Sequence, residues 1–362
     1  MKSLNRMILF YSFFMFLFLP GIHAEEPQTV PPQGTPPFDP RPLMDKVSER
    51  IKTDKFRFAV LGDTKHATSF PALATYLDDV VKPDFVLTTG DMVRSGGGSV
   101  GPGYWQKLAE DSGESMRKRP WWPSLGNHEI AGDPIINPEN DAEIMSMNRS
   151  TGLKNFKNFY NLEREYYSFT FRNSVFIALP FSMPEGESET WLRSELKKAA
   201  AEGRHIFVFN HSPFYTIGGK SNTEIPNEPT TITRLFDEFH VCAVFSGHDH
   251  GYYRTIRNGV PYIISAGAGA KIYPAKRRHE ALPEDVYYFG DPDSDIILGP
   301  VKYILHNGIS KQPDRITEAP EQFLAVVDVD GNDIKLSCVS TKGDKWDEMN
   351  LGQPTKQPKI DK

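Results

Sequence analysis

The sequence predicts an α/β fold in one folded unit, and three observations carry that expectation. Short strands of near-continuous apolar character recur along the chain, helical stretches lie between them, and no internal repeat interrupts the pattern. Strands that are apolar on both faces need cover on both faces, and helices supply it in α/β proteins. At 362 residues the chain is long enough to bury a sizeable core. A composition 39% hydrophobic and 24% charged excludes both a disordered polyelectrolyte and a multi-span membrane protein.

In chain order, Lys2 and Arg6 precede an apolar run over 7–19, interrupted only by Ser12, and Pro20, Gly21 and Ala24 lead to Glu25. Residues 1–24 are therefore expected to be an export signal, because the run is short of the roughly 20 residues that span a bilayer. An uncleaved anchor is the alternative, and no cysteine follows the run to take a lipid. Prolines at 27, 31, 32, 36, 37, 40 and 42 predict an extended linker over 25–50. The folded domain is expected over 51–343, followed by a polar tail at 344–362. Strands are expected at 56–61, 85–88, 121–124, 174–178, 205–209, 241–245 and 261–265. Helices are expected at 69–80 and 189–201, the second with Leu192, Leu196 and Ala199 on one face. Asp330-Gly331-Asn332 joins 323–328 to 333–337 as a hairpin.

The net charge of −6 argues against non-specific nucleic-acid binding, which needs a positive field. Neither nucleic acid nor, after signal cleavage, a membrane is expected as an obligate partner, and oligomeric state is not legible. Cys242 and Cys338 are too few for a disulfide scaffold or a thiolate metal site, so any metal ligands must be His, Asp or Asn. Cys242 reads as a small buried residue, and its pairing with Cys338 stays open.

Five of the strands end alike, with a small or polar residue and then a metal-competent side chain. The endings are Gly62-Asp63, Gly90-Asp91, Gly126-Asn127-His128-Glu129, Asn210-His211 and Gly247-His248-Asp249-His250. Ligands of open α/β sheets bind beyond the carboxyl ends of the strands, so these side chains should converge on one crevice. Each motif alone is weak, since Gly-Asp after a strand is usually a turn; all five in this order are not a chance occurrence.

On these residues the chain resembles the calcineurin-like metallophosphoesterases. The stretch Ser246-Gly-His-Asp-His-Gly-Tyr-Tyr-Arg254, with Tyr166-Tyr167-Ser168-Phe169, Trp191-Leu192 and Pro261 to Gly269, resembles the purple-acid-phosphatase-like branch. The resemblance covers residues 55–340 and implies a single-domain, four-layer α/β/β/α sandwich. It implies two transition-metal ions, Mn, Fe or Zn, with Asp91 bridging them. One ion would also take Asn127, His211 and His248, and the other Asp63 and His250. His128 would donate a proton to the leaving-group oxygen, Glu129 would fix its loop, and a metal-bound hydroxide would attack directly, without a phosphoenzyme.

The chain departs from the family where a His two residues after the first Asp is replaced by Lys65. It departs again where the purple-acid branch has a Tyr three residues after the second Asp and this chain has Arg94. The ion on Asp63 and His250 is thus one protein ligand short. His66 could swing in, water could fill the place, or one ion could be tight and the other weak. Lys65 and Arg94 become candidates for holding substrate phosphate.

Around the site, 95–103 is expected to be a mobile glycine-rich loop in preference to a phosphate cradle. The polar insertion 131–157, which carries the sequon Asn148-Arg149-Ser150, and the segment 212–230 are expected to form the rim. Lys276-Arg277-Arg278-His279 reads as a solvated loop. An exported, periplasmic or secreted phosphoesterase acting on a small phosphorylated substrate is the expected function, with phosphomonoesters slightly favoured. A phosphodiesterase or nucleotidase on the same fold is one alternative, and a catalytically degenerate phosphate-binding module is the other.

Overall fold

A computed structural model describes residues 38–65, 67–132, 142–182, 185–216, 229–270, 287–289, 302–303 and 322–352. The elements in order are α1 (Arg41–Arg50), β1 (Lys55–Leu61), α2 (Phe70–Tyr76), β2 (Phe85–Thr88), α3 (Gly101–Lys118), β3 (Trp121–Pro123), α4 (Asn127–Ile130) and α5 (Ala142–Tyr160). There follow β4 (Tyr167–Phe171), β5 (Ser174–Ala178), α6 (Glu187–Ala201), β6 (His205–Phe209), α7 (Thr231–Glu238), β7 (Ala243–Ser246), β8 (Tyr252–Arg257) and β9 (Val260–Ser265). The chain then forms β10 (Tyr287–Phe289), β11 (Lys302–Tyr303), β12 (Phe323–Asp330), β13 (Asp333–Ser340) and β14 (Lys345–Asn350).

Two sheets result. One has the order β14-β13-β12-β1-β2-β3 and the other β11-β10-β8-β9-β7-β6-β5-β4. Their central strands, β1-β2-β3 and β5-β6-β7-β9, are parallel; the pairs outside them are antiparallel, except for the parallel pair β10-β11. The period of two in a strand explains the apolar runs. Phe56, Phe58 and Val60 of β1, Phe176 of β5, Phe207 and Phe209 of β6 and Phe245 of β7 all enter the core between the sheets. Their strand neighbours point outward, Ala59 and Leu61 toward one helical layer and Ile177, Val208 and Val244 toward the other. The inter-sheet core is dominated by phenylalanine, with Phe58 stacked on Phe85 at 5.5 Å and edge-on to Phe176 at 5.2 Å. The four-layer α/β/β/α arrangement is the expected one, in a single domain.

Several expectations need correction. The linker stops short of residue 50, because Pro42 sits at the start of α1 and Met44 and Val47 of that helix are buried. The tail is not loose over 345–350, where β14 pairs with β13. The expected helix 69–80 is α2 followed by a π-helical turn over Leu77–Val81, closed by Lys82 at φ 50°. The loop at 95–103 is mostly buried, and its last residues open α3. Most of the insertion 131–157 is α5, and the sequon residue Asn148 is buried against Gly132, out of reach of a glycosylating enzyme. Cys242 and Cys338 are both free thiols; Cys338 is buried and Cys242 only partly so. Residues 1–24, His66, 217–228 and the basic cluster 276–279 lie outside the described residues. Among the described residues, no helix is long and apolar enough to cross a membrane.

Candidate metal centre

The carboxyl ends of β1, β2, β3, β6 and β7 meet at one edge of the sandwich. Asp63, Asp91, His211, His248 and His250 are buried there, as their strand-end positions predict. The backbone ties the loops together. The amide of Asp63 donates to Gly90 O at 3.0 Å, that of Gly247 to His211 O at 3.0 Å, and that of His248 to Asp63 Oδ2 at 3.0 Å. Gly126 permits a close approach, since a Cβ there would lie 2.4 Å from Asp91 Oδ1 and 2.6 Å from Glu129 Oε2. Four residues here, Asp63, Lys65, Asp91 and His248, hold positive φ without being glycine. Asp and His tolerate left-handed backbone better than most residues, whereas for Lys65 it is strained and persists where a site demands it.

The donors fall into two sets, Asp91 with His211 and His248, and Asp63 with Asp91 and His250, each with ligand atoms within 4.8 Å of one another. The first set tests well for a cation. His211 Nδ1 donates to Thr89 O at 2.7 Å, which commits the ring proton and leaves Nε2 a lone pair. That Nε2 faces Asn127 Oδ1 at 3.0 Å and Asp91 Oδ1 at 3.3 Å, while His248 Nδ1 lies 3.1 Å from both Asn127 Oδ1 and His211 Nε2. Lone pairs crowded on lone pairs in a buried pocket repel unless a cation lies among them. In the second set His250 Nε2 is 3.2 Å from Asp63 Oδ1, and both Asp63 Oδ1 and Asp91 Oδ2 are buried. Burial alone would raise the Asp91 carboxyl; His211, His128 and Lys65 outweigh it and hold it well below the usual range. Asp63 is likewise lowered, with burial opposed by its bond to His250.

Two supporting residues complete the centre. His128 Nδ1 donates to Arg94 O at 2.5 Å, and its half-exposed ring turns Nε2 toward the pocket, 3.9 Å from Asp91 Oδ2. Glu129 accepts from the backbone N–H groups of Asp91 at 2.8 Å, Met92 at 2.7 Å, Val93 at 3.3 Å and Gly126 at 2.7 Å. One carboxylate thus binds the second strand-end loop to the third. Burial, with the Asp91 charge beside it, pushes Glu129 up to about 7, and the bonds from Asp91 and Gly126 pull the other way.

The two replacements read from the sequence separate here. Lys65 enters the site and places Nζ 3.1 Å from Asp91 Oδ2. Arg94 turns outward into solvent, and only its carbonyl serves the site, by holding His128. The glycine-rich loop does not cradle phosphate with its first amides, because those of Gly96, Gly97 and Gly98 are spent on His128 O, Ala131 O and Thr151 Oγ1. Sequence reasoning missed Thr89, which acts through a backbone carbonyl, and Thr216, whose hydroxyl donates to buried Asp249. A backbone carbonyl has no residue signature to read.

Two donor sets that share a carboxylate, beside an imidazole able to carry a proton, fit a dinuclear phosphoester hydrolase as a class. The calcineurin-like phosphoesterase model matches residues 56–252, and the chain belongs to that family. It is 26% identical to human (Homo sapiens) tartrate-resistant acid phosphatase type 5 over 251 residues, 62% of this chain and 73% of that protein. It is also 26% identical to purple acid phosphatase 22 of Arabidopsis thaliana over 201 residues, 54% of this chain and 44% of that protein. The chain thus spans less than half of the plant relative. Among solved structures, a purple acid phosphatase from yellow lupin (Lupinus luteus) superposes with a TM-score of 0.60 over 84% of this chain and 55% of that one, at 13% identity. At that identity the likeness is one of fold.

Proposed function

We propose that the protein is an exported phosphatase that hydrolyses small phosphate monoesters at a centre held by Asp63, Asp91, Asn127, His211, His248 and His250. The observation that carries this reading is the convergence of Asp91 Oδ1, Asn127 Oδ1 and His211 Nε2, with separations of 3.0 and 3.3 Å, in a pocket where the one His211 proton is already committed. Oxygen and nitrogen donors without thiolate suit Mn, Fe or Zn. When bound, such ions supply Lewis acidity and a water that is nucleophilic at neutral pH.

The chain's own residues do the rest. Arg94 O fixes the His128 ring by its Nδ1–H, so that Nε2 faces the mouth of the pocket, where a second proton, carried by the imidazolium, would be donated to a departing leaving oxygen. The half-exposure of His128 keeps that proton in exchange with solvent. Glu129 holds Asp91 and the 126–129 turn in register, so positioning does not depend on substrate. The preference for monoesters is supported by the names of the aligned relatives, both acid phosphatases. Export is supported by the basic and apolar pattern of residues 1–24.

The test is hydrolysis of an aryl phosphomonoester and an aryl phosphodiester by the chain from Glu25 onward, with Mn, Zn, Fe or no metal added. Asp91→Asn serves as the control against contamination, and His128→Asn is expected to slow turnover by about 10²–10⁴-fold. Metal-dependent monoester hydrolysis that Asp91→Asn abolishes is the expected result. Faster diester hydrolysis would move the protein to the phosphodiesterases. A second reading, the phosphate-binding module, is favoured by the Lys65 ammonium lying on Asp91, and folded protein that binds phosphate without turnover under any metal would establish it.

A further inference from the structure

The two donor sets are not equivalent. The first has four protein donors in Asp91, Asn127, His211 and His248, and its ligand atoms meet at 3.0 to 3.3 Å. The second has three, Asp63, Asp91 and His250. The shared Asp91 is divided between them by its two oxygens. Oδ1 faces His211 at 3.3 Å and accepts the His128 amide at 2.9 Å, whereas Oδ2 faces Lys65 Nζ at 3.1 Å.

Lys65 is not a surface side chain that drifts past. Its side chain is 14% exposed. Its backbone is held in the left-handed region at φ 45°, with its amide donating to Asp91 O at 3.1 Å. Thr64 Oγ1 donates to Met92 O at 2.7 Å, locking the preceding residue to the same loop. The strained backbone thus presents the lysine to one oxygen of the carboxylate that both sets need.

We propose that Lys65 is a resident cation at the second half of the centre, competing with a metal ion for Asp91 Oδ2. The inference deepens the reading above and rests on it. An ammonium on a carboxylate neutralises part of the charge that would attract a second ion, and it repels that ion directly at short range in a buried site. The chain then holds one ion tightly, on the Asp91, Asn127, His211 and His248 side. Asp63 and His250 hold a second ion only when Lys65 gives way. Lysine suits this role as a compact point charge on a flexible stem, able to leave the carboxylate by rotation.

The experiment counts metal as well as turnover. Chelator-stripped protein is dialysed to equilibrium against Mn²⁺, metal per chain is measured by atomic emission, and the two affinities are resolved by calorimetry. Wild type is expected to hold one tight ion per chain and a second much weaker one. Lys65→Met keeps the volume and removes the charge, and should tighten the second ion by on the order of tenfold or more. Lys65→Arg keeps the charge and should resemble wild type, which separates the charge from any loss of fold; circular dichroism confirms that each variant is folded. Two equally tight ions in wild type would overturn the inference and leave the proposed function standing. One ion in both wild type and Lys65→Met would overturn it as well, by removing Lys65 as the cause. No bound ion in any folded variant would sink the metal centre itself, and the inference with it.

Discussion

Glu129 shows how much one side chain organises at this site. Its two oxygens collect backbone N–H groups from both the 91–93 and 126–129 loops, so the geometry of Asp91 and Asn127 depends on a residue that need not touch substrate. Its carboxyl, raised to about 7 chiefly by burial, makes a pH prediction. A carboxyl whose folded pKa lies above its ordinary value, 4.5, binds its proton preferentially in the folded state. That contribution to stability is complete below about pH 4.5 and is lost as the pH rises through about 7. In metal-stripped protein, Glu129→Gln should therefore flatten the fall in Tm between those two pH values. Parallel Tm profiles for wild type and variant would show that Glu129 is not the titrating group. The same substitution should slow the metal-loaded enzyme, because the amide turns donors toward donors and loosens Asp91. At this scale the sequence was legible wherever chemistry demands a residue type: Asp63, Asp91, Asn127, His211, His248 and His250 all face one pocket. It was not legible where backbone acts, as with Thr89 O and Arg94 O, or where direction decides, as with Lys65 turning in and Arg94 turning out.

Strand endings were legible because both faces of each central strand are covered, which leaves an unmistakable apolar run. Helix α5 was hidden for the opposite reason. Part of its buried face is made of Asn148, Gly152 and Asn155, small and polar residues that read as a solvated insertion. They are needed because α5 packs directly on the backbone that follows His128. A Cβ at Gly152 would lie 2.3 Å from Glu129 O, and one at Gly96 would lie 2.2 Å from the same atom. The glycines that made 95–103 look mobile are there for close packing, and that partner is not visible in a local window. Gly152→Ala should destabilise the protein by about 1–3 kcal/mol through overpacking, and lower activity by shifting α4 with its His128. Gly103→Ala, also helical but with nothing within 4 Å of the new Cβ, should instead be stabilising by up to about 1 kcal/mol. Urea denaturation of the two variants checks the contrast, and a Gly152→Ala protein as stable as Gly103→Ala would refute close packing as the reason for these glycines.

The centre exists only when the two sheets are docked, because Asp63, Asp91 and Asn127 follow strands of one and His211, His248 and His250 follow strands of the other. The strand that leaves the histidine loop, β8, is held to the opposite sheet by a buried clamp. Asp347 of β14 accepts from Tyr252 Oη and Arg254 Nε, each at 2.6 Å, and from Arg254 Nη2 at 3.0 Å. Arg254 and Asp347 are 4% and 2% exposed. The polar sequence of β14 disguised it as a tail, since an edge strand carries charge outward and here one charge inward. Asp347→Ala leaves the Arg254 guanidinium buried beside a lost carboxylate and should cost about 3–5 kcal/mol. Deleting 344–362 removes the strand as well as the clamp and should cost more. Replacing both partners by apolar residues, Arg254→Met with Asp347→Leu, should recover much of the loss, since a buried pair is often no better than packed hydrocarbon. Denaturation curves for the three proteins give the order, and metal retained after dialysis reports whether the histidine loop loosens with the clamp. If Asp347→Ala were to unfold at the wild-type midpoint with its metal intact, the clamp would have no part in holding the two halves of the site together.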